Sequence, residues 1–150
     1  MAEGQLPVTL AMVFRLMNDR VHTRMDEQGY PGLRPAYGYA FNFLSCNPTT
    51  TAVALAIHLG VTKQAAVQLV EELENQGFVT RRPHPDDGRA KIVELTERGR
   101  QCIREVELMW MEEEERWEQL VGKQALDEVR FSLWAYVRDS GRPVGLRPLW

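Results

Sequence analysis

Cysteine is scarce in this chain of 150 residues: Cys46 and Cys102 stand far apart, with no CxxC spacing and no Cys/His cluster. That excludes a disulfide framework, fits a reducing cytoplasm, and leaves both residues as expected buried thiols. Long apolar runs are absent as well, so no segment is expected to span a bilayer. The start, MAEGQLPVTLAMVF, has no basic region ahead of an apolar core, and no export signal is expected there. Histidine is equally sparse. His22, His58 and His84 form no HxxxH pair, and no Ser/His/Asp or Cys/His set stands on a recognisable nucleophile turn, so neither enzyme chemistry nor a metal or other cofactor is expected.

What the chain does have is ordinary globular composition, 44% hydrophobic and 26% charged, enough for one domain with a sizeable core. Its net charge of -3 argues against indiscriminate polyanion binding, but the charge is unevenly distributed. Lys63, Arg81, Arg82, Arg89, Lys91, Arg98, Arg100 and Arg104 crowd the middle of the chain, whereas the stretch from residue 105 to 120 is dominated by glutamate. The middle can therefore present a basic surface on an acidic protein.

Apolar residues at Leu6, Leu10, Val13, Phe14, Met17, Val21 and Met25 recur at three- and four-residue steps and predict a long amphipathic helix over about 6–27. GYPGLRP breaks the chain, AYGYAFNFLS reads as a short helix, and Asn47-Pro48 breaks it again. Thr50 or Thr51 caps a short helix, TAVALAIHL, that stops at Gly60; Thr62 caps the next, which ends at Gly77. FVTRR and AKIVEL then alternate as a two-stranded hairpin around the turn PHPDDG. Thr96 caps a long helix to about Leu120, Gly122 interrupts, and a last helix follows before the Gly/Pro-rich tail at 140–150.

LAIHLGVTKQAAVQL fits a helix-turn-helix. Ala56 permits close crossing, Gly60 makes the corner, and Leu55, Leu59, Val61, Ala66 and Leu69 supply a small core, leaving Thr62, Lys63, Gln64, Val67 and Gln68 outward. Lysine at that position can neutralise phosphate, and glutamines can both donate to and accept from base edges in a major groove. A basic hairpin directly after such a corner is the winged variant, with DDGRA at the wing tip.

The run from Thr51 through Gly99, above all LGVTKQAAVQLVEELENQGFVTRR followed by DGR and LTERG, resembles the MarR family of winged-helix regulators. The resemblance implies a mostly α fold with a small β-hairpin wing. It also implies a DNA-binding lobe at about 35–99 and dimerisation helices at about 6–27 and 100–139. The protein would be a homodimer reading a pseudo-palindromic double-stranded operator, a repressor responsive to a small aromatic or anionic effector. Carried residue by residue, Thr62, Lys63, Gln64 and Gln68 open the recognition helix, and Arg89 is the wing arginine of the minor groove. Asp87 is the acidic partner that props the wing or its arginine, and Arg81, Arg82 and Lys91 add basic wing charge. A guanidinium suits the minor groove because negative potential concentrates there, above all over A·T tracts. The sequence departs from the family at Ala65, Val67 and Gln68, where threonine, a polar residue and arginine are common.

Several features admit a second reading. Asp86 and Asp87 resemble a carboxylate pair, but adjacent side chains diverge in a loop and no ligand series surrounds them, so turn chemistry is expected. Ile103, Val106, Trp110, Glu113, Trp117 and Leu120 form a seam on the long helix, read as a dimerisation face, with 112–115 as a mostly solvated glutamate run. Phe14, His22, Tyr37, Phe41 and Trp110 are candidate effector contacts, or simply core. The rival function is a winged-helix module for protein contact without strong DNA binding, which the weakly basic second helix of the motif and the overall negative charge favour.

Overall fold

The computed structural model describes residues 4–141; most of the expected tail lies outside the described residues. Chain contacts divide these residues into a lobe, Arg34–Arg104, and a helical unit made of the residues before and after it. In order the elements are α1 (Leu6–Glu27), α2 (Pro35–Cys46), β1 (Thr50–Thr51), α3 (Ala52–Leu59), α4 (Lys63–Asn75), β2 (Val79–Pro83), β3 (Lys91–Leu95), α5 (Glu97–Val121) and α6 (Lys123–Asp139). Among the described residues no single helix is long and apolar enough to cross a membrane.

The lobe begins with Pro35 in the first turn of α2, where a missing backbone N–H costs nothing. Thr51 caps α3 by accepting the Ala54 N–H at 3.3 Å. The same residue, with Thr50, forms β1 and pairs with β3 through Thr50↔Val93 and Thr51↔Ile92. The sheet is thus three-stranded, in the order β1-β3-β2, where the hairpin pattern alone predicted two strands. A two-residue strand has no alternation to read, and its threonines looked like caps because one of them is a cap. Flanked on both edges, β3 buries the consecutive Ile92 and Val93. Around them pack Tyr37, Phe41, Leu55, Leu59, Leu73 and Phe78, with the Phe41 and Phe78 rings edge to face at 5.4 Å.

The start of α5 is bonded to the chain entering β2. Thr96 Oγ1 donates to the carbonyls of Gly77 and Phe78 and accepts the Gly99 N–H at 3.1 Å, capping the helix as expected.

In the helical unit, Val21 and Met25 of α1, Met109 of α5 and Leu126 of α6 are buried. The predicted seam on α5 is displaced. Along α5 the buried positions are Gly99, Cys102, Met109 and Glu113, whereas Trp110 and Trp117 are only partly covered and Leu120 is exposed. Glu113, the apparent interruption of the seam and a member of the supposedly solvated run, is buried because Arg20 of α1 donates to its Oε2 at 3.0 Å. Removing one partner of a buried pair strands the other charge. Arg20→Met is expected to cost about 1–2 kcal/mol, less than a fully buried pair because Arg20 is half-exposed. Arg20→Met combined with Glu113→Gln should recover part of the loss; urea denaturation of the four proteins measures it.

Cys102 is buried as expected but Cys46 is exposed, since it ends α2 at the solvent side of the turn into Asn47.

Candidate nucleic-acid interface

The corner between α3 and α4 decides which face of α4 meets solvent. Gly60 takes φ 69°, a conformation that side chains resist, and lets Val61 N donate back to Ala56 O at 3.1 Å. Thr62 then caps α4, its Oγ1 accepting the Ala65 N–H at 3.1 Å. The chain bends by 114° between the two helices. Ala56 and Ala66, both buried, keep the crossing close. Ala66, Leu69, Val70 and Leu73 consequently face the core. Thr62, Lys63, Gln64 and Gln68 are exposed together with Ala65, and Val67 is half-buried. The residues read as base- and phosphate-facing thus share one solvent-facing surface.

The second part of the surface is the wing. Strands β2 and β3 pair from Val79↔Leu95 to Pro83↔Lys91, which leaves 84–90 as the tip. There His84 N donates to Ala90 O at 3.1 Å, and Ala90 N to Asp87 O at 3.0 Å. The Asp87 carboxylate accepts the Arg89 backbone N–H at 2.9 Å. Asp87 therefore shapes the turn through the backbone and leaves the guanidinium of Arg89 exposed. Arg89 forms no ion pair among the described residues; the same is true of Lys63 and Lys91. His84 also shapes the tip, its Nδ1 accepting the Asp86 N–H at 3.2 Å. That contribution was missed in the sequence; the two-residue spacing of histidine and aspartate in a proline-bearing turn was its signal. Among the described residues no group of three His, Cys, Asp or Glu side chains is arranged to hold a metal.

Arg81 and Arg82 differ from the other cations because their charge is already matched. Arg81 donates through Nε and Nη2 to Glu74 on α4, at 2.8 and 2.5 Å, and its Nη1 lies 3.8 Å from Glu71. The hydrogen bond from Arg81 holds the Glu74 carboxyl below the usual carboxylate range against the opposing effect of burial, and Arg81 is raised in turn. Arg82 donates to Glu94 on β3 at 2.8 Å. These two arginines fasten the wing to α4 and to itself.

The candidate effector contacts fall in different units. Tyr37 and Phe41 belong to the lobe, where both are buried. The Tyr37 hydroxyl donates to Glu72 at 3.3 Å and accepts from Gln76 at 3.0 Å, tying α2 to α4. Phe14, His22 and Trp110 belong to the helical unit, where Phe14 stacks on Trp110 with ring centroids 6.3 Å apart. Burial lowers the His22 pKa, with Asp26 and Asp19 opposing.

Comparison with known proteins agrees with this geometry. Residues 32–90 match the sequence signature described as MarR family. An HTH-type transcriptional regulator of Mycobacterium tuberculosis and its counterpart in Mycobacterium bovis are each 34% identical over 65 residues, 43% of this chain and 46% of theirs. The chain thus matches about half the length of these curated relatives. Among solved structures, RV1404 of Mycobacterium tuberculosis is similar over 95% of this chain and 99% of its own, with TM-score 0.76 and 23% identity. A mutant MarR of E. coli covers 88% of this chain and 96% of its own, at TM-score 0.69 and 20% identity. A mutant MepR of S. aureus bound to an oligodeoxyribonucleotide covers 89% and 96%, at TM-score 0.64 and 16% identity. At such identities the likeness is one of fold. The MarR-family signature over residues 32–90 falls on most of the lobe, and about nine-tenths of the chain shares the winged helix-turn-helix fold of these solved structures.

Proposed function

We propose that this chain is a DNA-binding transcriptional regulator, a repressor that acts as a homodimer on a pseudo-palindromic operator and is released by a small ligand. MarR-family proteins are transcription regulators and not enzymes. The observation that carries the reading is one lobe presenting both an uncluttered polar face on α4 and an exposed, unpaired Arg89 whose backbone is braced by Asp87. In this reading α4 enters the major groove from Thr62 onward and the wing tip enters the adjacent minor groove. A second copy is supported by large exposed apolar side chains on α1 and α6, among them Leu6, Val8, Met12, Phe131, Trp134 and Tyr136. Large apolar side chains left in solvent on two helices are what a second copy would cover.

Salt dependence tests the reading. Lys63, Arg89 and Lys91 are the cations of the interface without an ion pair, which in a dimer gives a slope of log affinity against log salt of about -5. Fluorescence anisotropy on the DNA beside the protein's own gene, titrated with salt, measures it. The rival reading, a protein-contact module, is favoured by the neutralised Arg81 and Arg82 and by the apolar Ala65 and Val67 on α4. A flat salt response with retained partner binding would establish the rival.

A further inference from the structure

We infer, on the DNA-binding reading above, that His84 is a second DNA contact of the wing: a neutral N–H donor set on a phosphate oxygen beside the groove that Arg89 enters. The ring is anchored from one side, where its Nδ1 accepts the Asp86 N–H at 3.2 Å. A ring nitrogen that accepts carries no proton, so the proton of the neutral imidazole lies on Nε2. One bond thus fixes the tautomer and the direction of the ring. Nε2 of His84 has no protein partner among the described residues and is not buried, unlike Nε2 of His58, which is buried without a partner. It is a donor held ready toward solvent.

Its position is set by the tip. His84 N donates to Ala90 O at 3.1 Å, so these two residues face each other across the hairpin, and Arg89 is the next residue along. Pro83 and Pro85 flank His84 and restrict the backbone on both sides of it. A fixed neutral donor and an exposed guanidinium therefore sit side by side on one rigid turn. The minor groove is roughly 6 Å wide between its two rows of phosphates. A tip that places Arg89 in that groove brings the neighbouring His84 against the phosphates of the wall.

A neutral donor differs from a cation in what it displaces. Lysine or arginine on a phosphate releases condensed counterions and steepens the salt dependence, whereas the N–H of an uncharged ring releases none. His84 accordingly adds affinity that salt does not screen. Because phosphates carry no sequence information, it adds that affinity alike on every sequence.

The test is fluorescence anisotropy of the full chain on the DNA beside its own gene, at about pH 8, titrated with salt, for wild type, His84→Asn and His84→Ala. Asparagine places its side-chain oxygen where Nδ1 stands and keeps an acceptor for the Asp86 N–H, while its amide nitrogen takes the place of a ring carbon. It preserves the turn and lacks the Nε2 donor. Both variants should lose about threefold to tenfold in affinity, with the salt slope and the melting curve unchanged. His84→Asn binding like wild type would leave the ring only a role in the turn and overturn the contact. A slope shallower by about one unit per half-site would mean that the ring binds as a cation and overturn the neutral donor. A loss that disappears when the A·T pairs under the wing are changed to G·C would place the donor on a base edge and overturn the phosphate assignment. Wild type without affinity for DNA removes the DNA-binding reading itself, whereas wild-type binding with unchanged variants removes only His84.

Discussion

Arg89→Ala is expected to weaken operator binding by about tenfold to a hundredfold per half-site, with the melting temperature unchanged. The side chain is exposed and forms no ion pair, while the Asp87 bond reaches only the backbone N–H, which alanine retains. The wing should therefore keep its shape and lose only its charge. The salt slope should become shallower by about one unit per half-site. Asp87→Ala separates shape from charge. It keeps the guanidinium but removes the brace at 2.9 Å, and should weaken binding less than Arg89→Ala does. Operator affinity of Arg89→Ala equal to wild type across the salt range would remove the wing from the interface.

The largest expected effect on stability is at Gly99, in the LTERG segment. A Cβ there would lie 2.2 Å from the Phe78 carbonyl oxygen and 3.2 Å from the Leu95 side chain. The carbonyl has little freedom to withdraw, because it accepts from Thr96 N at 2.9 Å and from Thr96 Oγ1 at 3.1 Å. Phe78 itself is fully buried and leads into β2. Gly99→Ala must therefore push α5 away from the wing's base or break the Thr96 cap. A cost of about 3 kcal/mol or more is expected, at the upper end of overpacking penalties. That corresponds to a fall of about 10 °C in melting temperature for a chain of this size. A melting curve coincident with wild type would mean that the close approach of α5 and Phe78 does not persist in solution. The two substitutions also test each other, since Arg89→Ala changes binding without stability and Gly99→Ala acts on stability first.

The helix-turn-helix was legible because its requirements are local. A glycine able to adopt φ 69°, a threonine two residues later to cap, and a small residue at each side of the crossing all lie within one short run. The wing tip was legible for the same reason: an aspartate bonding the backbone two residues on is a property of the loop itself. Asp86 and Asp87 first invited a carboxylate-site reading, and the structure gives Asp87 a turn role with Arg89 left free beside it.

Long-range partners were not legible. Arg81 and Arg82 counted as available charge in the sequence, yet Glu74 lies seven residues from Arg81, and Glu94 twelve from Arg82, across the hairpin. Only strand register and helix packing bring those acids into reach. Glu113 is the same case on a larger scale, with its partner Arg20 93 residues away. β1 escaped notice because two residues carry no periodicity, and the exposure of Cys46 because a thiol's burial depends on what neighbouring elements cover.

The sequence by itself determined the order of the helices and the hairpin, the caps, the corner at Gly60 and the outward face of α4, since each follows from backbone preferences and apolar spacing over a few residues. The tertiary structure alone decided which cations stay unpaired and which carboxylate is buried. Charge pairing and burial depend on distances between segments remote in sequence, and only the packed chain sets those distances.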